Sequence, residues 1–112
     1  MIDRAAIESA RNHPSFSNSC WLTFYLAGNP DRHAAMKPGL LKLDAVNLGG
    51  AEGGFVYAKI PVSLDEREIE ASISSVRKLA EEANVDVEII DLDSSSDVGE
   101  SKLFTLWTAS GA

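Results

Sequence analysis

The side chains best suited to chemistry in this sequence are carboxylates in its C-terminal half. Eight acidic residues and no lysine or arginine occur between residues 81 and 100. The run Asp91–Asp97 places oxygen-bearing side chains at the first, third, fifth and seventh positions of a calcium-binding loop. Such a loop needs a glycine at its sixth position and a glutamate at its twelfth, where this chain has Ser96 and Lys102. We therefore expect no dedicated calcium site.

The same run contains an acidic pair, Asp91 and Asp93, that follows a predicted strand. This pattern resembles the first motif of haloacid-dehalogenase-type phosphatases, in which the first aspartate is the nucleophile and the second is the acid/base. Those enzymes need further motifs downstream, and only nineteen residues follow Asp93. We therefore interpret the pair as part of a solvated acidic strand end, because charge runs usually mark exposed surface.

Nucleophilic catalysis has one thiol candidate, Cys20, and two imidazoles, His13 and His33, that could activate it. Cys20 opens an uncharged apolar run, where a free cysteine usually packs as a small hydrophobic side chain. These three residues show none of the paired spacing of a zinc site. The sequence therefore predicts a protein without catalytic residues, metal or cofactor. A single cysteine permits no internal disulfide, so we expect a cytoplasmic protein.

The distribution of charge indicates which partners suit this chain. Residues 61–112 carry twelve acidic and four basic side chains, within a net charge of −7 for the whole chain. Nucleic-acid affinity depends on basic side chains that neutralise phosphates, so we expect no direct binding to nucleic acid. A protein partner with a basic surface fits better, through complementary electrostatics. The predicted partner-binding residues are Asp86, Glu88, Asp91, Asp93 and Asp97.

A strand and the helix before it must position these carboxylates. Residues 85–93 alternate apolar and acidic side chains, with one slip at Ile90, which predicts a strand with one wet, negative face. Ser63 and Glu66 match a capping box at the start of the preceding helix. Its predicted apolar face comprises Ile69, Ile73, Val76 and Ala80.

The other elements follow from apolar runs and from the turn residues between them. Asn29 is the predicted N-cap of a helix that begins at Pro30 and ends near residue 44. Pro38-Gly39 interrupts its pattern, so a strand over 40–48 is the alternative to a helix followed by an edge strand over 45–48. The remaining predictions are a helix over 3–12, a hairpin loop over 49–54, and strands over 20–27, 55–61 and 103–108.

The order of these elements predicts the fold class. We expect one α+β domain over residues 1–112, a ferredoxin-like βαββαβ sandwich with an extra N-terminal helix and a candidate extra C-terminal strand. Two helices then cover one face of an antiparallel sheet. No apolar run approaches the ~20 residues of a membrane span, and the N-terminus lacks a signal-peptide pattern. We therefore expect no membrane association.

A second functional hypothesis is a small-ligand-binding domain or small enzyme. Its pocket would lie between the sheet and the helices, lined by Trp21, Tyr25, Tyr57 and Lys59. A plain aromatic core is the alternative interpretation of these residues. We also expect a homo-oligomer, formed through an exposed edge strand such as the one that contains Trp107.

The helix-to-strand segment Val76–Asp93, preceded by Phe55–Ile60, resembles the second half of small acidic proteins of the regulator of ribonuclease activity B family. The likeness covers residues 20–93, mostly as the order of elements. It implies a ferredoxin-like domain that is not catalytic and, in that family, inhibits ribonuclease E by protein contact. The family's long acidic tail has no counterpart here, where the last residues are apolar near Trp107. We predict a non-catalytic regulatory or protein-interaction module that uses an acidic surface.

Overall fold

A computed structural model describes residues 2–27, 30–50, 56–95 and 102–109. The described residues form three helices and five strands, in the predicted order. The elements are α1 (Arg4–Arg11), β1 (Ser19–Ala27), α2 (Pro30–Lys42), β2 (Asn47–Gly50), β3 (Val56–Ser63), α3 (Glu66–Ala83), β4 (Asp86–Asp93) and β5 (Leu103–Thr108). The predicted mixed α+β class is confirmed, and so is the last strand.

The five strands form one antiparallel sheet in the order β2-β3-β1-β4-β5. The central strand, β1, is the most apolar of them and pairs with β3 on one side and β4 on the other. The register of β1 against β4 shifts between Tyr25 and Leu26, and that of β4 against β5 shifts between Ile90 and Asp91. Such irregularities are typical of β-bulges, which bend a strand and increase its twist.

The hydrophobic core lies on one face of this sheet. Successive side chains of a strand point to opposite faces, and alternate residues of β1 are fully buried. These residues are Cys20, Leu22, Phe24 and Leu26. They belong to one cluster with Ile7 of α1, Met36 of α2 and Ile73 of α3. All three helices therefore lie on the same side of the sheet, and we call the other side the open face.

The long helix α3 has the predicted buried face but not the predicted cap. Its N-cap is Asp65, whose carboxylate accepts a hydrogen bond from the backbone N–H of Glu68 at 3.1 Å. The predicted capping box of Ser63 and Glu66 is wrong, because β3 extends through Ser63 and the helix starts later. The helix ends at Asn84, which adopts the left-handed conformation that asparagine tolerates. The buried residues are Ile69, Ile73, Val76 and Ala80.

Residues 38–48 were open to two interpretations, and the structure favours the helical one. Helix α2 continues through Pro38, which is exposed on its surface. Met36 and Leu40, four residues apart on either side of this proline, are both buried. The strand alternative over 40–48 is wrong, and the edge strand β2 starts two residues later than predicted.

Gly39 allows α2 to approach α3 closely. A Cβ atom at position 39 would lie 2.4 Å from Cδ2 of Leu79, so a larger residue requires Leu79 to move. This close approach lies where α2 packs against α3.

Candidate functional site

The four residues predicted to line a pocket lie on the open face instead. Trp21 and Tyr25 alternate along β1 with the buried core residues, so they point away from the helices. Tyr57 is the cross-strand partner of Tyr25, and Lys59 is the partner of Thr23, so both share that face. The predicted location between sheet and helices is therefore wrong. An apolar run such as 20–27 does not reveal which of its faces the helices cover.

Polar side chains from four strands meet on the open face, and we call this group the polar cluster; all of them are buried except Thr105 of β5, which is exposed. Thr23 stands between Lys59 on β3 and Asp91 on β4. Asp91 in turn stands opposite Thr105 on β5, and Asp93 follows it on the same face of β4. Lys59 and Asp93 are each only 3% exposed, and Asp91 is 6% exposed. Charged residues are almost never buried to this extent unless they are paired.

An ion pair is the central contact of the polar cluster. The Lys59 ammonium donates to Asp93 Oδ2 at 2.7 Å, and the Thr23 hydroxyl donates to the same oxygen at 2.9 Å. Lys59 also donates to the backbone carbonyl of Ser95 at 3.2 Å, so the chain just after β4 folds over the lysine. The pair therefore links β3, β1 and β4 on the open face.

The second carboxylate oxygen of Asp93, unlike the first, has no hydrogen-bond donor among the described residues. Asp93 Oδ1 is out of contact with solvent and accepts no hydrogen bond within the part of the chain that the structure describes. Leaving a buried polar atom without a partner costs about 1–3 kcal/mol, and more for a charged group. Such an atom in a native protein calls for an explanation, and a bound donor group is one.

Asp91 has a hydrogen bond but no ion pair of its own among the described residues. The Thr105 hydroxyl donates to Asp91 Oδ1 at 2.8 Å. Burial raises the pKa of Asp91, and the charge of Asp93 raises it further, while the Thr105 hydrogen bond and the Lys59 charge act in the opposite direction. The net effect is a raised pKa, because burial disfavours the charged form of a carboxyl group.

Two tyrosines flank the polar cluster. Burial raises the pKa of Tyr25, and the negative charges of Asp91 and Asp93 also raise it. The Tyr57 ring extends over the edge strand β2, since a Cβ atom added at Gly49 would lie 2.9 Å from the Tyr57 hydroxyl oxygen. Both tyrosines are partly exposed, so they border the buried charges with aromatic surface.

The predicted acidic surface is only partly present. Asp86 is exposed and Glu88 is half-buried, but Asp91 and Asp93 are buried. The prediction of a wet face is therefore wrong for these two aspartates, because neighbouring strands on both sides of β4 and the chain after it cover them. Asp97 lies outside the described residues.

Sequence reasoning missed Thr23 and Thr105 and did not connect Lys59 with the acidic strand. Both threonines stand in apolar strands, where a β-branched residue fits for reasons of propensity alone. The sequence does contain an indication of the role of Lys59, because it is the only charged residue in the run Phe55–Pro61. A lone charge in an otherwise buried strand predicts a partner of opposite charge elsewhere in the sheet.

Among the described residues, neither Cys20 nor the potential metal ligands form a site for nucleophilic catalysis or metal binding. Cys20 is buried, its sulfur lies 3.5 Å from the Val62 carbonyl oxygen, and burial raises the pKa of the thiol to about 11. The reactive thiolate is therefore scarce at neutral pH. Over the described ranges, no three His, Cys, Asp or Glu residues are grouped to hold a metal ion.

Comparisons with known proteins identify no relative of this chain. No family model, no curated protein and no solved structure matches the chain. None of the helices in the described ranges is both long enough and apolar enough to cross a membrane. The functional proposal therefore depends on the polar cluster itself.

Proposed function

We propose that this protein is a non-catalytic regulatory or protein-interaction module whose polar cluster receives a lysine or arginine side chain of a basic partner protein. The observation that carries the proposal is Asp93 Oδ1, a buried carboxylate oxygen without a hydrogen-bond donor among the described residues. A cationic N–H group pairs most strongly with such an oxygen. The proposed partner is still a basic protein, as expected from the sequence, but its proposed binding site is the polar cluster and not an acidic surface.

The charge of the polar cluster supports a cationic group. Two carboxylates, Asp91 and Asp93, stand with one ammonium, Lys59, so the described groups carry an excess of one negative charge when all are ionised. Burial makes this excess unfavourable, and the raised pKa of Asp91 is a consequence. An incoming ammonium or guanidinium group removes the excess charge and supplies the missing donor together.

Tyr25 and Tyr57 add a favourable surface for the same group. A cation over a tyrosine ring gains about 0.5–2 kcal/mol. One hydrogen bond to a charged group contributes about 1.5–3 kcal/mol. The sum, about 2–5 kcal/mol for one side chain, corresponds to a dissociation constant between about 0.2 mM and about 30 mM. Neighbouring contacts on a partner protein would tighten this value.

The fold and the wider family relation are proposed with this function. The strand order supports a ferredoxin-like sandwich in which β5 extends the sheet beyond β4 and α1 is an added N-terminal helix. Action by protein contact in the cytoplasm agrees with the resemblance to the regulator of ribonuclease activity B family. Self-association through the edge strand β5 is a separate proposal, supported by the exposed Leu103. Trp107 of that strand is engaged within the chain, with the Arg77 guanidinium 4.7 Å from its ring.

The test of the proposed function is an amide NMR titration with N-acetyl-lysine amide. N-acetyl-norleucine amide, which has the same stem without the ammonium group, is the control ligand. We expect shifts at Thr23, Tyr25, Tyr57 and Thr105 with the lysine compound and little change with the norleucine compound. Shifts confined to other regions would show that the polar cluster does not take the cation.

Two matched variants separate the polar cluster from general surface charge. Asp91→Asn removes the excess negative charge without touching the Lys59–Asp93 pair, and it should weaken lysine-amide binding about threefold or more. Asp86→Asn removes an exposed charge from the same strand and should leave binding unchanged. Equal weakening by both variants would mean that the acidic surface acts as a whole, and the proposal would be wrong.

A further inference from the structure

A second candidate site lies on the helix side of the sheet, away from the polar cluster. A cavity of about 210 Å³ opens between α2 and the strands β2 and β3. Its apolar wall includes Leu26, Leu40, Leu48 and Val56. His33 and Lys37 of α2 line the same cavity, and none of its described lining residues is acidic. The cavity therefore combines an apolar floor with one basic side.

His33 is the unusual member of this wall. Neither of its ring nitrogens contacts solvent, and neither has a hydrogen-bond partner among the described residues. A neutral imidazole carries one N–H donor and one acceptor, so at least one donor is left without a partner. Buried polar groups of native proteins are normally hydrogen-bonded, directly or through water. Such an imidazole has an unused N–H that a ligand or a water molecule can satisfy.

Lys37 supplies the second contact. It follows His33 by four residues on α2, so both side chains lie on one side of the helix. An ammonium on a flexible stem at the mouth of a cavity, and the imidazole N–H of a ring that lines it, can bind the two oxygens of one carboxylate once the ring turns that N–H toward the cavity. The apolar floor then requires a hydrocarbon tail rather than a second charged group.

We propose that this cavity binds a small aliphatic monocarboxylate, with its carboxylate between His33 and Lys37 and its tail against Leu26, Leu40 and Val56. The volume corresponds to about seven water molecules at ~30 Å³ each, which is the size range of a short-chain acid such as hexanoate. This proposal is independent of the cationic group proposed for the open face, because the two sites differ in charge and in location.

The experiment is an amide NMR titration of the whole chain with hexanoate, 1-hexanol and inorganic phosphate. Hexanoate should shift the amides of Leu48, Gly49 and Val56, which border the cavity. The alcohol lacks the charge and phosphate lacks the tail, so each should bind about tenfold more weakly, a difference of about 1.4 kcal/mol. Equal binding of the alcohol would show an unselective apolar groove, and tighter binding of phosphate would show a plain anion site. Either result would overturn the proposal.

Two variants test the basic side of the cavity. Lys37→Met keeps the aliphatic stem, and His33→Phe keeps an aromatic ring at the same position. Each should weaken hexanoate about threefold or more while leaving 1-hexanol unchanged. Lys42→Met, in the last turn of the same helix and outside this cavity, is the matched control. Should His33→Phe fail to fold, Lys37→Met and the ligand series decide the question. Hexanoate binding that survives Lys37→Met unchanged contradicts the assignment.

Discussion

Replacing Lys59 with methionine should destabilise the protein strongly, because it breaks a buried ion pair from one side. Methionine keeps the apolar stem but cannot donate to Asp93 Oδ2, which lies 2.7 Å from the lysine nitrogen. Asp93, with its side chain 5% exposed, would keep only the Thr23 hydrogen bond among the described contacts. Removing one partner of a buried pair typically costs about 3–5 kcal/mol, because it leaves a buried charge without compensation.

Urea denaturation monitored by far-ultraviolet circular dichroism measures this loss. The double variant Lys59→Met/Asp93→Leu should recover most of it, because replacing both members of a buried pair by apolar residues is often neutral or stabilising. Lys42→Met removes an exposed lysine and should change the free energy of unfolding by less than about 0.5 kcal/mol. A loss below about 1 kcal/mol for Lys59→Met, the value of a surface pair, would refute the reasoning. A double variant as unstable as the single one would also refute it.

Three further predictions concern Asp91 and the two ends of α3. Because the pKa of Asp91 is raised in the folded state, its ionisation opposes folding, so Asp91→Asn should stabilise the protein at neutral pH. The stabilisation by Asp91→Asn should disappear as the pH falls through the raised pKa of Asp91 to the ordinary pKa of aspartate, because the carboxyl group is then neutral in both the folded and the unfolded state. Urea denaturation at several pH values measures this, and a stabilisation that persisted in acid would contradict the prediction. Asp65→Ala should lower the free energy of unfolding by about 1 kcal/mol, and Ser63→Ala should lower it clearly less. A larger loss for Ser63→Ala would show that Ser63, as in the predicted capping box, is the N-cap. Asn84→Ala should lower stability by about 1–2 kcal/mol through its left-handed backbone and Asn84→Gly should not, as thermal unfolding would show.

The elements that periodicity defines were predicted well, and so was the start of α2 at Pro30, whereas the bounds of β2 were not. Four apolar residues at helical spacing, Ile69 to Ala80, placed the buried face of α3, because a helix shows one stripe to the core. The predicted loop over 49–54 is wrong at Gly49 and Gly50, which belong to β2, because glycines have no side chains to form a pattern. The cap of α3 was misplaced because two nearby residues, Ser63 and Asp65, both have side chains suited to an N-cap.

The polar cluster is a non-local arrangement, and for that reason its sequence signal was misread. Alternating acidic residues in β4 are typical of a solvent-facing strand when that strand is considered alone. Their burial depends on Lys59, which is 34 positions away from Asp93, and on Thr23, which is 70 away. Only the strand order, with β1 and β5 on either side of β4, brings these side chains together. Two carboxylates of the acidic half, Asp91 and Asp93, lie inside the protein.

A crystal structure of the protein bound to N-acetyl-lysine amide tests the central claim most directly. The measured quantity is the distance from the ligand's ammonium nitrogen to Asp93 Oδ1. A separation of about 2.7–3.2 Å, with the ligand's stem beside Tyr25 or Tyr57, is the predicted result. An Asp93 Oδ1 that accepts its hydrogen bond from an ordered water, with the ligand bound elsewhere or absent, would contradict the claim.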